Sequence, residues 1–219
     1  MLRWLVDSPT HPGWPATLGP LRVEAGVLTV RPIRARDARE WSRLRIKNQN
    51  ELMPWEPTGI GAWSRRHQPS SWAPLNSILR AEARRGTVLP FVIEVDGAYA
   101  GQLTVGNIQR GAVRSAWIGY WVDSGFSGQG VATGAAALGV DHCFGPVGLH
   151  RLDATVQPDN AGSQAVLRKL GFREEGLLKR YMDVNGRWRD HLLLALTVEE
   201  VVETAVDTLI RGGRAWAVN

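Results

Sequence analysis

Residues 120 to 144, YWVDSGFSGQGVATGAAALGVDHCF, change character halfway. An aromatic run suited to a strand ends in Gly125, Gly128 and Gly130, and the small residues Ala132, Thr133, Gly134, Ala135 and Ala136 follow at once. A strand that runs straight into a glycine turn and then opens a helix leaves several backbone N–H groups without intrahelical partners. At the positive end of the helix dipole those amides suit an anion such as a diphosphate. Glycines let a bulky phosphate approach the main chain, and small residues let the first helical turns lie close to ligand and sheet. A turn that only reverses the chain is the competing reading. Two common phosphate sites are excluded. No Gly-Lys-Ser/Thr closes the loop, and the turn follows sequential strands rather than a strand-helix-strand unit with a suitably placed acid.

The flanking pattern is mixed. LTVRPIRARDAREWSRL reads as a strand through Leu28, Val30 and Ile33, then a helix with Ala38, Trp41 and Leu44 on one face. Met53 to Ser71 reads as loop, and LNSILRAEARR as a second helix. FVIEV, AYAGQLTV and SAWIGYWV make an antiparallel run whose first turn is Asp96-Gly97. LHRLDATV is a further strand, and the helix from Asn160 to Phe172 turns Val166, Leu167 and Leu170 inward. A hairpin turns at Asn185-Gly186. Thr197 to Glu200 forms a capping box, and Val198, Val201, Val202, Ala205 and Leu209 continue at helical spacing. The sum is an α+β or α/β domain over residues 21–197, with an irregular lead-in at 1–20 and an amphipathic helix and tail at 198–219.

Composition narrows the classes. A chain of 219 residues with 44% apolar and 21% charged residues builds one ordinary core. The net charge of +5 comes from scattered arginines rather than a basic tract, which favours a solvated basic surface over a nucleic-acid arm while leaving RNA contact open. The single Cys143 excludes an internal disulfide, suits a cytoplasmic location, and reads as a packing residue. The five histidines lack metal-ligand spacing, so no metal is expected. No secretory leader or run of about 18 apolar residues is present, so no membrane association is expected.

The glycine turn resembles a signature of the GCN5-related N-acetyltransferases (GNAT), Gln/Arg-x-x-Gly-x-Gly/Ala, which here reads Ser127-Gly128-Gln129-Gly130-Val131-Ala132. The likeness continues through Asn160-x-x-Ser163 and Gly171-Phe172, and LMPWEP, GYW, REEGLLKRYM and NGRWRDHLLLAL resemble the RimJ/RimL-type ribosomal-protein enzymes of that family. The resemblance implies a mixed, mostly antiparallel sheet of six to seven strands flanked by helices, with a V-shaped splay between the two parallel strands IGYWV and LDATV. It implies acetyl-CoA as cosubstrate. Tyr120, Trp121 and Val122 would pair with the pantetheine arm; Gly128, Gln129, Gly130, Val131, Ala132 and Thr133 would hold the diphosphate; Asn160 and Ser163 would reach the cofactor.

Two positions depart from the family pattern. Ser127 stands where Gln or Arg is usual, and Leu167 stands where many relatives place the tyrosine that protonates the leaving thiolate. Ser163 is therefore the candidate acid, against the alternative that it only binds cofactor or caps a turn. Asp183 is the candidate base, with Glu51 and Glu56 beside it on the substrate side, where Met182 replaces an acid of RimL-type enzymes; a solvated surface or an arginine pair is the competing fate of each. Trp55 and Tyr181 are expected at the substrate mouth, and at least two of Trp55, Trp63 and Trp72 in the core. Asp190 and His191 are expected to order structure. The implied reaction is direct acetyl transfer, in a ternary complex, to the α-amine of a protein such as a ribosomal protein. The alternatives are a small-molecule amine, or a non-catalytic acyl-CoA sensor or ribosome-assembly factor. A monomer or a homodimer fits.

Overall fold

The computed structural model describes residues 13–218. Strands β1 (Leu18–Val23) and β2 (Gly26–Pro32) lead into α1 (Ala38–Lys47), the short α2 (Gln49–Leu52) and α3 (Trp63–Arg66), and the long α4 (Pro69–Arg85). The antiparallel run β3 (Val88–Val95), β4 (Ala98–Gln109) and β5 (Ser115–Val122) precedes α5 (Val131–Phe144), β6 (Arg151–Val156) and α6 (Ala161–Lys169). The chain ends in the hairpin β7 (Arg173–Val184) and β8 (Arg187–Thr197), then α7 (Ala205–Arg211) and β9 (Trp216–Ala217).

Both hairpin dipeptides behave as their chemistry requires. Asp96 and Gly97 take φ of 49° and 78°, and Asn185 and Gly186 take 49° and 76°. Positive φ at both central residues matches the twist of the flanking strands.

All the strands join one sheet in the order β7-β8-β6-β5-β4-β3-β2-β1-β9. Strands β5 and β6 run parallel, and their pairing covers only Ser115 to Trp117 against Arg151 to Asp153. Beyond that point β5 stays with β4 as far as Val122, while β6 stays with β8 as far as Val156. The two strands diverge because each keeps its antiparallel partner. This is the expected splay.

The small residues of α5 have a packing cause. A Cβ at Gly134 would stand 2.9 Å from Leu28 Cδ2, and one at Gly139 would stand 2.7 Å from Leu103 Cδ2. The helix lies so close to the sheet that side chains have no room; Ala135, Ala137, Val140 and Cys143 are fully buried in the main core. Burial pushes the Cys143 thiol up to about 12, so it packs as an inert residue. A second cluster gathers Ile33, Trp41, Leu44, Trp72, Val92 and Tyr99 on the other face. Trp63 and Trp72 are buried as expected, and Trp55 is exposed.

The structure corrects four expectations. Among the described residues the sheet has nine strands rather than six or seven. β1 begins at Leu18, inside the stretch read as irregular lead-in, whose residues 1–12 lie outside the described part. Its burial alternates only from Pro20 to Val23, and Gly19 and Pro20 interrupt the start, so the period of two was too short to read. Helix α4 starts at Pro69 rather than near Leu75, inside the presumed loop: Trp72 is fully buried and its indole N–H donates to the Arg34 carbonyl at 2.9 Å, which holds the first turn in place despite Pro74. The capping box at Thr197 and Glu200 forms but closes only one 3-10 turn (Val198–Glu200). Val201 is extended, Val202 is fully exposed, and the helix restarts at Ala205 under a new cap from Thr204. Adjacent β-branched valines are poor helix formers, and the second cap prevails.

Candidate active site

The splay opens a cleft of about 1310 Å³ between β5 and β6. Its floor is the loop from Asp123 to Gly130. Asp123 fixes the start of that loop by accepting from Lys47 Nζ at 2.9 Å and Asn48 Nδ2 at 2.8 Å, while Asn48 Oδ1 accepts the Ser124 amide at 2.9 Å. Burial alone would raise the Asp123 carboxyl; Lys47 and Asn48 hold it below its ordinary value, so it stays ionised. Gly128 and Gly130 take φ of 79° and 81°, a region that glycine alone enters freely. The first ladder bond of α5 runs from Gly134 N–H to the Gly130 carbonyl at 2.8 Å, so the amides of Val131, Ala132 and Thr133 precede the ladder and face the cleft end. A Cβ at Gly128 would meet nothing within 4 Å. The open space and the unpaired amides fit a diphosphate.

One wall is the freed edge of β5. The Asp123 N–H donates to the Ala100 carbonyl at 2.8 Å, so the alternation of the ladder turns the main chain of Trp121 towards β4 and that of Tyr120 and Val122 into the splay. Trp121, expected to offer main-chain contacts, instead lines the cleft with its indole, whose N–H donates to Gln102 Oε1 at 3.0 Å.

The opposite wall is β6 and the start of α6. Asn160 caps α6: its Oδ1 accepts the Ser163 amide at 3.0 Å, which leaves its Nδ2 for a ligand. Ser163 Oγ lies 3.3 Å from the Tyr120 hydroxyl. Burial, opposed by that contact, pushes the Tyr120 phenol up to about 12. Leu167 is core, 1% exposed, so α6 itself presents no phenol one turn after Ser163.

The far end of the cleft holds a cluster that the sequence reading missed. Arg45 makes a two-pronged ion pair with Glu56. Its guanidinium stands 4.8 Å from the Trp63 ring and 5.2 Å from the Trp121 ring. His67 Nε2 lies 3.1 Å from Arg45 Nη2, and His67 Nδ1 lies 2.8 Å from the Trp63 carbonyl. The consistent tautomer has Nδ1–H donating to the carbonyl and Nε2 accepting from arginine. Burial first, then Arg45, depress His67 to about 4, so the ring is neutral at physiological pH. One signal was present: Arg45 is four residues after Trp41, on the stripe of α1 already read as buried.

The expected substrate residues divide. Trp55, Glu56, Tyr181 and Met182 line the cleft. Glu51 is exposed on α2 and is not part of the lining. Asp183 is not part of it either: its carboxylate accepts from Thr58 Oγ1 at 2.8 Å and ties the hairpin β7-β8 to the segment after Glu56. The strand is irregular between Leu178 and Met182, with Arg180 at a φ of 50°, which lets the neighbours Tyr181 and Met182 line the cleft together while Asp183 turns to Thr58. His191, 3% exposed, packs edge-on to Tyr181 at 5.6 Å between ring centres and also lines the cleft, while Asp190 accepts the Arg180 amide at 2.7 Å within the hairpin. Among the described residues no cluster of His, Cys, Asp and Glu could hold a metal, and no helix is long and apolar enough to cross a membrane.

Comparison with known proteins agrees with this geometry. The family model described as the acetyltransferase (GNAT) domain matches residues 28–173. The structure of Mycobacterium smegmatis RimJ in complex with CoA-disulfide superposes with a TM-score of 0.94 at 58% identity, covering 95% of this chain and all (100%) of that one. The ribosomal protein uS5-alanine N-acetyltransferase of Escherichia coli (strain K12) is 27% identical over 190 residues, which is 86% of this chain and 96% of that protein. The YjcK protein of Bacillus subtilis (strain 168) is 42% identical over 101 residues, 46% of this chain and only 56% of YjcK. A matched family model over most of the length, and a neighbour of nearly the same shape in complex with CoA-disulfide, make this chain a member of the GNAT acetyltransferase family, an N-acetyltransferase that takes its acetyl group from acetyl-CoA.

Proposed function

We propose that the enzyme acetylates the α-amine at the N-terminus of a protein, a ribosomal protein among its acceptors, by direct attack within a ternary complex. The observation that carries this reading is the alignment of three features along one cleft: the Gly128–Thr133 amides, the free β5 edge, and a mouth lined by Glu56, Trp55 and Tyr181. The Escherichia coli relative, named for the alanine of uS5, supports a protein acceptor, and a cytoplasmic reaction is consistent with such an acceptor.

Bound acetyl-CoA supplies a thioester whose carbonyl carbon is attacked by the amine, the carbon–nitrogen bond forming as the carbon–sulfur bond breaks. The Gly128 to Thr133 amides hold the diphosphate, and Tyr120 and Val122 pair their main chain with the pantetheine arm as an added strand. The Val122 N–H is aimed into the splay, where it polarises the carbonyl. Asn160 Nδ2 holds the cofactor amide region. Ser163 Oγ–H donates its proton to the departing sulfur and is reprotonated, through water, by the proton that the attacking nitrogen sheds as it becomes an amide. Tyr120, held protonated, hydrogen-bonds Ser163 and sets its rotamer. Glu56 has lone pairs beyond those used by Arg45 and receives the incoming ammonium. An α-amine with a pKa of about 8 loses its proton to water readily enough to need no dedicated base, so neither Asp183 nor Glu51 is given a part.

The test is thiol release from acetyl-CoA with three acceptors: a peptide with a free N-terminus, the same peptide blocked but carrying lysine, and a polyamine. Turnover confined to the free N-terminus is expected. Turnover confined to lysine or polyamine, or none with any amine, contradicts the reading. Mass spectrometry of ribosomal-protein N-termini with and without the gene identifies the acceptor.

A further inference from the structure

The family match ends at residue 173, yet the last turns of the chain close the cofactor end of the cleft. Helix α7 is held there by α5 itself: the Asp141 carboxylate accepts the amides of Ala205 at 2.6 Å and Val206 at 3.0 Å. Leu209 and Ala215 are buried in the main core, and the Arg214 amide donates to the Leu209 carbonyl at 2.9 Å. β9 then pairs with β1, Trp216 opposite Arg22 and Ala217 opposite Leu21. Alternation about the buried Ala215 turns Arg214 and Trp216 outward together, and both line the cleft beside the glycine loop. The Arg214 carbonyl lies 3.9 Å from where a Cβ of Gly130 would stand.

These two side chains have no internal work that accounts for them. Arg214 is exposed and, among the described residues, has no ion pair or side-chain hydrogen bond, unlike Arg31, Arg45, Arg151, Arg173 and Arg211, each of which holds a carboxylate. Trp216 leaves 47% of its surface exposed. A guanidinium with five unused donors beside an open indole face is the chemistry that recognises a phosphomonoester next to a purine. Glu24 lines the same end and opposes the phosphate, so the pair must outweigh one carboxylate.

We propose that the C-terminal segment is a nucleotide clamp: Arg214 binds the 3′-phosphate of CoA and Trp216 stacks on its adenine. This rests on the reading that the Gly128–Thr133 loop holds the CoA diphosphate, which sets the adenosine end just outside the loop.

Isothermal titration of the full chain with CoA and with 3′-dephospho-CoA separates the two claims. The wild-type protein is expected to prefer CoA by about tenfold, the size of one charge-assisted contact. Arg214→Ala is expected to remove that preference while leaving 3′-dephospho-CoA affinity within about twofold, and Trp216→Ala to weaken both ligands alike by about fivefold, as loss of a stacking contact does. No preference in the wild type, or a preference that survives Arg214→Ala, overturns the clamp alone. Failure of the wild type to bind either ligand overturns the reading of the loop, and the clamp with it.

Discussion

The two ends of the cleft are built by different means. The end that we propose holds the cofactor is main chain: amides released by two glycines in left-handed conformation, and a strand edge freed when β5 and β6 part. The end that we propose receives the substrate is side chain: Arg45, Glu56 and His67, brought from α1, the segment after α2 and the end of α3, locked by an ion pair and roofed by tryptophans. A main-chain site tolerates change nearby so long as the backbone can still turn. A buried side-chain cluster is coupled, and removing one member leaves another buried without its partner.

If that contrast is right, the largest effect on stability belongs to the substrate end. Glu56→Ala leaves the Arg45 guanidinium, 7% exposed in its side chain, without its carboxylate. Unfolding by denaturant is expected to show a loss of about 3 kcal/mol, the low end for a broken buried pair because Glu56 is partly exposed. A change within about 0.5 kcal/mol, as for an ordinary surface site, breaks the contrast.

His67 provides the next test. Its folded pKa of about 4 lies below the ordinary 6.5, so the native state resists taking up the proton that the unfolded chain accepts. The stabilisation is fully present above pH 6.5 and is lost as pH falls towards 4. Over that window about 3 kcal/mol should disappear, and His67→Gln should flatten that part of the stability curve. An unchanged slope in the variant removes His67 from the cluster.

At the cofactor end the expected pattern reverses. Gly128→Asp places a carboxylate where a Cβ meets no protein atom, in a conformation that Asp tolerates better than most residues. CoA affinity measured by calorimetry should fall about 100-fold through repulsion of the diphosphate, while the melting temperature changes little. Retained affinity places the diphosphate elsewhere.

The smallest effect concerns the proton. Ser163→Ala is expected to lower kcat about tenfold with little change in KM for acetyl-CoA, and Tyr120→Phe about threefold, consistent with one acid and one positioning contact. Equal losses in both variants sharpen the assignment towards a shared role for the two hydroxyls.

The same contrast explains what could be read from the sequence. A glycine loop between strand and helix, hairpin dipeptides and linked family motifs are local: Gly128 and Gly130 make the turn before α5, Asn160 opens α6, and the Asp96-Gly97 and Asn185-Gly186 hairpins form as expected. Arg45, Glu56 and His67 are separated by 11 residues or more along the chain, and no spacing rule joins them. Asp183 looked suitable because its segment flanks the substrate side, but its carboxylate is taken up by Thr58 Oγ1, a partner 125 residues away that no local pattern announces. β1 and β9 were unreadable for a related reason: β9 has two residues, and only the assembled sheet gives them a partner.

The most direct measurement follows backbone amide shifts by NMR while CoA is titrated into the protein. Saturation with one site, and the largest shifts at Gly128, Gly130, Val131, Ala132 and Thr133, is the expected result. Absence of saturation, or shifts centred away from this loop, would contradict the claim that these amides cradle the diphosphate.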